Sequence, residues 1–354
     1  MVVFTDNCTK NTNTSLERSI YSEKDSNSFF RRILKKILPK SIHFHAIKRR
    51  PLMIICETVN ICNNDCIICA HSLMKRKKVT MPLDLFEKVL KDYSDMGGGK
   101  LSLTPKIGDI FLDKLLIERL KIVTKYPKIT GISVTTNGIA SSVLSETELK
   151  FVLHCFERFH ISIYGLDAEE YRVMTRRSQY LKMLKNVKRI IDLSKNATNI
   201  VFGFRFLKNH TEDEIKIWIQ QNFGCQIPFS FTNSYSNWGN AIDTNSKLPF
   251  DAEWIPIKEN TVPCLIPLFA CQIYSNGDVS FCACPDFDIN DELRLGNLKE
   301  KDLTDIYNSN KCKELWNFNN KMPNYCKYCT FHKPISDIEE YSKTIENPIN
   351  FIGG

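Results

Sequence analysis

The chain has 354 residues, 43% of them apolar, and a formal net charge of +8, which excludes a disordered or fibrous protein and suits one large or two moderate globular domains. No run reaches the length of a membrane span, and the start, MVVFTDNCTKNTNT, lacks the apolar stretch of a signal peptide, so a cytoplasmic protein is expected. In that reducing compartment fourteen cysteines are poor candidates for a disulfide framework and better ones for metal binding mixed with buried fillers.

Residues 5–28, rich in Asn, Ser and Thr, read as a polar tail. Residues 31–50 hold eight Lys and Arg and no acid, and the remaining 334 residues balance at forty bases against forty acids. The excess charge belongs to one segment and not to a basic surface, so no nucleic-acid partner is expected. Within 29–50, Phe29, Phe30, Ile33, Leu34, Ile37 and Leu38 recur at helical spacing between the bases. A basic amphipathic helix of this kind docks on its own domain with a solvated charged face, or contacts a membrane surface or an acidic partner.

From residue 51 strands and helices alternate. Expected strands cover 52–58, 100–104, 131–137, 159–165, 200–206 and 227–233. The segment after Pro82 predicts a helix with Phe86, Val89, Leu90 and Tyr93 inward and Asp84/Lys88 and Glu87/Lys91 pairs outward. Ser145 with Glu148 and Thr211 with Glu214 predict two capping boxes. Six such units argue for an α/β fold with a mostly parallel sheet, closed or partly closed into a barrel with helices outside. After about residue 240 regular helix becomes sparse. Residues 249–334 hold seven of the cysteines and one clear amphipathic stretch, LTDIYNSNKCKELW. The expected organisation is a tail and basic helix at 1–50, the barrel at 51–248, a small cysteine-rich domain at 249–335 and a C-terminal tail at 336–354.

The loop after the first strand reads CNNDCIICAHS and places Cys62, Cys66 and Cys69 at the mouth where ligands of such sheets bind. Three thiolates hold three corners of a metal centre. Zinc would need a fourth protein ligand, for which His71 is the candidate, whereas a [4Fe–4S] cluster held by three cysteines leaves one iron open. Spacing and position together resemble the radical S-adenosylmethionine (radical SAM) superfamily, whose signature is CxxxCxxC after the first strand of a partial (β/α)6 TIM-like barrel. The resemblance implies that the open iron binds S-adenosylmethionine and that one electron splits its carbon–sulfur bond to give a 5′-deoxyadenosyl radical. The residue before the last cysteine is often aromatic in that family and is Ile68 here.

The resemblance also implies cofactor contacts. Gly108 and Asp109 in LSLTPKIGDIFLD stand where the family has a GGE-type turn, whereas the GGG at 97–99 precedes the strand and reads as a tight turn. Thr136, Asn137, Ser162 and Arg205 fall at strand ends that resemble ribose, carboxylate or substrate positions. In the C-terminal segment Cys264, Gly277 and Cys282, then LGNL at 295–298 and the pair Cys326 and Cys329, resemble a SPASM domain in its shortened "twitch" form. That form implies an auxiliary [4Fe–4S] cluster held by Cys264, Cys282, Cys326 and Cys329, with Cys271 or Cys284 as substitutes and a zinc ribbon as the alternative. Cys8, Cys56, Cys155, Cys225 and Cys312 are expected to be unliganded fillers.

An auxiliary cluster with no open iron is suited to accepting an electron. The nearest functional likeness is to the radical dehydrogenases of aminocyclitol antibiotic biosynthesis, which implies net oxidation of a small polyol or sugar-like substrate. It also implies an electron donor such as flavodoxin or ferredoxin. The alternatives are a maturase of a ribosomally made peptide, and a non-catalytic iron–sulfur or zinc scaffold. Trp238 or Arg205 could line the substrate pocket; Trp238 could equally anchor a loop. Asp109, Tyr164 and His160 are merely near strand ends, and none is assigned as the base.

Overall fold

A computed structural model describes residues 50–194, 199–316 and 322–334. The expected tail at 5–28, nearly all of the basic helix at 29–50, Cys8 and the C-terminal tail lie outside the described residues. The six expected strands all form: β1 (Met53–Cys56), β2 (Gly99–Ser102), β3 (Ile129–Thr136), β4 (Arg158–Ile163), β5 (Asn199–Arg205) and β6 (Phe229–Thr232). Each pairs in parallel with the next in chain order. This is the arrangement of a partial TIM-like barrel, and its strands read as apolar runs because helices cover them. All four residues of β1 are buried.

The intervening helices are α1 (Leu83–Asp95), α2 (Leu116–Val123), α3 (Glu146–Cys155), α4 (Ala168–Thr175), α5 (Tyr180–Leu193) and α6 (Glu212–Phe223). Helix α1 starts after Pro82 and buries Leu85, Phe86, Val89, Leu90 and Tyr93. Its outward ion pairs differ from the expected ones. Lys88 reaches Asp92 and Lys91 reaches Asp95, each at 2.9 Å. Asp84 instead accepts from the backbone N–H of Leu85, and Glu87 faces Lys125. An acid in the first turn is claimed by free N–H groups there, so the lysines turn to the acids beyond them. Both expected capping boxes are present. Gly97, Gly98 and Gly99 make the turn into β2 with positive φ, and a Cβ on Gly98 would sit 2.2 Å from the Lys128 carbonyl oxygen.

The cysteine-rich segment does not fold apart from this sheet. After a two-stranded pair, β7 (Ser234–Tyr235) with β8 (Glu253–Trp254), strand β9 (Ala270–Ile273) runs parallel along the free edge of β1. Strands β10 (Asp278–Ser280) and β11 (Arg294–Asn297) follow antiparallel, giving nine strands in the order β11-β10-β9-β1-β2-β3-β4-β5-β6. The edge of β1 that would close a full barrel is therefore occupied. The expected amphipathic stretch splits into two short helices, Leu303–Tyr307 and Asn310–Trp316, the first packed against α1 through the Leu303 N–H and Asp92. No helix among the described residues is long and apolar enough to cross a membrane.

One carboxylate joins the parts. Glu57, fully buried at the end of β1, accepts both guanidinium arms of Arg76 at 2.7 and 2.9 Å, and the N–H and hydroxyl of Ser275 at 3.3 and 3.0 Å. Arg76 in turn donates from Nε to the Phe287 carbonyl, and its guanidinium lies 4.7 Å from the Tyr274 ring centroid. Removing one member of a buried pair leaves the other uncompensated. Arg76→Met is therefore expected to lower the unfolding free energy by about 3 kcal/mol in an anaerobic urea titration, and Glu57→Gln added to it should recover part of the loss.

Candidate active site

The loop after β1 is closed at its neck and held along its length. Asn60, fully buried, donates to the Lys77 carbonyl at 2.8 Å and accepts from the Val79 N–H at 2.7 Å, and Val59 bridges Thr80. Inside, the Asp65 and Ile67 N–H groups bond to the Thr175 and Met174 carbonyls at the end of α4. The Trp238 indole donates to the Ile68 carbonyl at 2.8 Å. Ile67 and Ile68 pack against the cluster of Met174, Leu207 and Tyr235. These contacts bring Cys62, Cys66 and Cys69 together at the carboxyl end of β1.

No disulfide links the described cysteines. Burial pushes the Cys62 thiol up to about 12, with Asp109 adding to it, and the Cys69 thiol up to about 11. Burial also raises Cys66 well above its ordinary value, reinforced by Cys69 and Cys62. Three buried thiols that oppose one another's ionisation become thiolates when a cation joins them. The Nδ2 and Oδ1 atoms of Asn64 and Nε2 of His71 are buried beside them without partners, so the pocket is polar where a cofactor would meet it. Among the described residues no three His, Cys, Asp or Glu side chains converge as ligands of a single metal ion. The donor set fits a cluster of several irons better than zinc with His71 as fourth ligand.

Asp109 is wholly internal. Its carboxylate accepts from the Phe111 N–H at 3.1 Å, and from the Thr136 hydroxyl and the Asn137 N–H at 2.8 Å each. Its own N–H donates to the carbonyl of Ile61, next to Cys62. Burial holds its pKa above the usual carboxylate range even against those donors. A Cβ on Gly108 would lie 2.8 Å from the Val59 carbonyl oxygen, so the glycine lets this turn close onto the neck of the cysteine loop. Asn137, held by Asp109, donates to Asn63 Oδ1 at 2.7 Å and approaches Cys62 Sγ at 3.9 Å.

The strand register aligns the other expected residues. Thr135 pairs with His160, Ser162 with Gly203, and Ile163 with Phe204. Phe159, Ile161 and Ile163 belong to the apolar core, so alternation sends His160 and Ser162 to the other face of β4. Tyr164 and Arg205 follow on that face. Burial raises Tyr164 well above its ordinary value, Cys66 adds to this and Arg205 opposes it. Burial, with Arg205 and Arg158, pushes His160 down to about 3.

The second cysteine group surrounds a cavity of about 330 Å³. Cys264, Cys282, Cys326 and Cys329 all line it, with Phe281, Tyr325 and Phe331 among the other walls. Cys284 lines a different cavity, of about 100 Å³, together with Thr104, Lys106, Ser236, Trp238 and Phe331. Cys271 lies inside β9 opposite Ile54 and is 1% exposed. Burial raises Cys264, with Cys284 adding to it, and also raises Cys282 and Cys326, where neighbouring cysteines add to it; Cys329 is pushed up to about 12. Asn260 fastens the CxxC turn by donating to the Cys326 and Cys329 carbonyls at 2.9 and 3.0 Å. Asn60, Asn260 and the clamp function of Asp109 escaped sequence reasoning, because isolated polar residues carry no spacing signal for partners far along the chain.

Comparison with known proteins bears on both groups. Residues 56–218 match the sequence model of the radical SAM superfamily, and residues 264–330 match SPASM, an iron–sulfur cluster-binding domain. A GTP 3′,8-cyclase of Alkaliphilus oremlandii (strain OhILAs) is 26% identical over 192 residues, which are 51% of this chain and 57% of that protein. A GTP 3′,8-cyclase of Clostridium perfringens (strain 13 / Type A) is 25% identical over 47% of this chain and 50% of its own length. The chain thus spans about half the length of these curated relatives. BtrN in complex with AdoMet and 2-DOIA has a similar fold, with a TM-score of 0.52, 19% identity, and coverage of 79% of this chain and 92% of its own. Streptococcus suis SuiB bound to precursor peptide SuiA superposes with a TM-score of 0.57 at 16% identity, covering 93% of this chain and 78% of that one.

Asp109→Ala would leave three buried donors unpaired and is expected to cost about 2–3 kcal/mol of unfolding free energy. Asp109→Asn, which keeps one acceptor oxygen, should lose less, and anaerobic urea titrations of the two variants check the order.

Proposed function

Because the chain belongs to the radical SAM superfamily and carries a SPASM-type iron–sulfur domain, we propose that it oxidises a small polyol or sugar-like substrate by hydrogen abstraction. Its cofactors are S-adenosylmethionine, a [4Fe–4S] cluster and an auxiliary iron–sulfur site. Bound together, the first two supply a 5′-deoxyadenosyl radical, and an auxiliary cluster without an open iron supplies a place for the electron left on the substrate.

The residues take the following parts. Cys62, Cys66 and Cys69 hold the first cluster, and Asn137, clamped by Asp109, offers its amide to the Cys62 sulfur. Gly108 and the neck of the cysteine loop shape the cofactor seat, and Ser162 and Arg205 face the mouth beside it as polar contacts. Cys264, Cys282, Cys326 and Cys329 hold the auxiliary cluster. Trp238 fixes the first loop through Ile68 and also forms a wall of the smaller cavity.

The observation that carries the reading is the separation of the cysteines into a set of three in one loop and a set of four around one cavity. Three leave an iron for a small molecule; four do not. What supports a small polyol over the precursor peptide named for SuiB is the likeness to BtrN in complex with AdoMet and 2-DOIA, which this chain covers over 92% of its length. The cyclases match through the barrel half and bear on the cofactor more than on the substrate. An external donor such as flavodoxin or ferredoxin would supply the first electron.

Anaerobic protein with dithionite and S-adenosylmethionine should release 5′-deoxyadenosine, and Cys62→Ala should abolish this release. Iron analysis should give about eight irons per chain, with Cys62→Ala and Cys329→Ala each losing about four. A content near four that Cys329→Ala leaves unchanged would remove the electron acceptor and the case for oxidation.

A further inference from the structure

Lys106 stands in the loop after β2, where its ammonium donates to the carbonyl of Ala283 at 2.7 Å. Ala283 lies between Cys282, which faces the four-cysteine cavity, and Cys284, which lines the smaller one. Among the described residues no carboxylate lies within ion-pairing distance of this half-buried cation. The acid nearest in the chain to its partner, Asp286, is engaged by the Ser280 hydroxyl at 2.7 Å and the Asn290 N–H at 2.9 Å. A cation partly withdrawn from water and held directly by a single carbonyl gains from negative charge supplied nearby. The four thiolates around the larger cavity are the charge this region would gain on holding a cluster.

We infer that Lys106 tunes the auxiliary cluster. Fixed against the Ala283 carbonyl, its positive charge stabilises the extra negative charge of the reduced cluster and makes that cluster the better electron acceptor. The inference rests on the proposed assignment of Cys264, Cys282, Cys326 and Cys329 as its ligands. Cluster potentials respond to net charge and to hydrogen bonds around the sulfurs. The Ala283 carbonyl is one residue from Cys282, which puts the ammonium within roughly 10 Å of that sulfur. At such a range, in partly buried surroundings, a unit charge shifts an equilibrium by about tenfold or more. Lys106 also comes from the turn that ends in Gly108 and Asp109, so the element that closes onto the first cysteine loop places the cation beside the second group.

The test is an EPR-monitored redox titration of the full-length reconstituted protein in a Cys62→Ala background, so that only the auxiliary cluster is read. Lys106→Gln keeps a donor for the Ala283 carbonyl and removes the charge; Lys106→Arg keeps the charge. With the auxiliary iron retained, Lys106→Gln should lower the reduction equilibrium about tenfold, a midpoint about 59 mV more negative for a one-electron couple. Lys106→Arg should stay near the unsubstituted protein. Equal midpoints in all three proteins at full iron content would overturn the inference. Loss of the auxiliary iron in Lys106→Gln would also overturn it, by making the residue a support of the site and not a tuner of it. Failure of the underlying assignment looks different: the Cys62→Ala protein with Lys106 intact would then contain no iron, or would keep its iron when Cys264, Cys282, Cys326 or Cys329 is replaced by Ala.

Discussion

The buried carboxylate of Glu57 is the joint of this molecule. It ends β1, holds Arg76 from the far side of the first cysteine loop, and takes the N–H and hydroxyl of Ser275 from the turn after β9. Three segments distant in sequence must therefore be in place before its charge is compensated. Burying a carboxylate is tolerable only when its acceptor capacity is filled. The barrel edge, the loop of Cys62, Cys66 and Cys69, and the C-terminal segment are thus set against one another by a single electrostatic requirement.

A second constraint is the free edge of β1. A parallel sheet of six strands that does not close leaves backbone donors and acceptors exposed along that edge. Strand β9 satisfies them, with Met53 opposite Ala270 and Cys56 opposite Ile273. The cost of an open barrel is thereby removed, and the cysteine-rich segment becomes a continuation of the six-stranded sheet. The two cysteine groups consequently belong to one packed body, with Trp238, Lys106 and Phe331 among the residues between them. In the proposed reaction the substrate would lose a hydrogen atom on the cofactor side and then an electron on the auxiliary side, and a shared sheet is a suitable means of holding the two sides at a fixed separation.

Much of this was legible in the chain. Each of the six strands expected between residues 52 and 233 forms, because buried parallel strands are apolar runs bounded by polar turns. The capping boxes at Ser145 and Thr211 form because both of their partners lie within one turn of helix. The ion pairs of α1 were misread, since spacing alone cannot tell that Asp84 is already taken by the Leu85 N–H. Of the two expectations for Trp238, the structure shows the loop anchor, its indole N–H donating to the Ile68 carbonyl, and its side chain also lines the smaller cavity. The clamp that Asp109 makes on the Phe111 N–H, the Thr136 hydroxyl and the Asn137 N–H has no local signal, since two of those donors lie more than twenty residues away.

The sequence by itself determined the barrel strands and the three-cysteine loop, because periodicity and ligand spacing are local properties of adjacent residues. Only the tertiary structure decided that β9 completes the edge of β1, and that Cys282 but not Cys284 shares a cavity with Cys264, Cys326 and Cys329. It likewise decided that Lys106 lies against the loop between Cys282 and Cys284. These are contacts between residues far apart in the chain, chosen by the burial of charge and the pairing of a sheet edge, and no local pattern encodes which distant partner meets that demand.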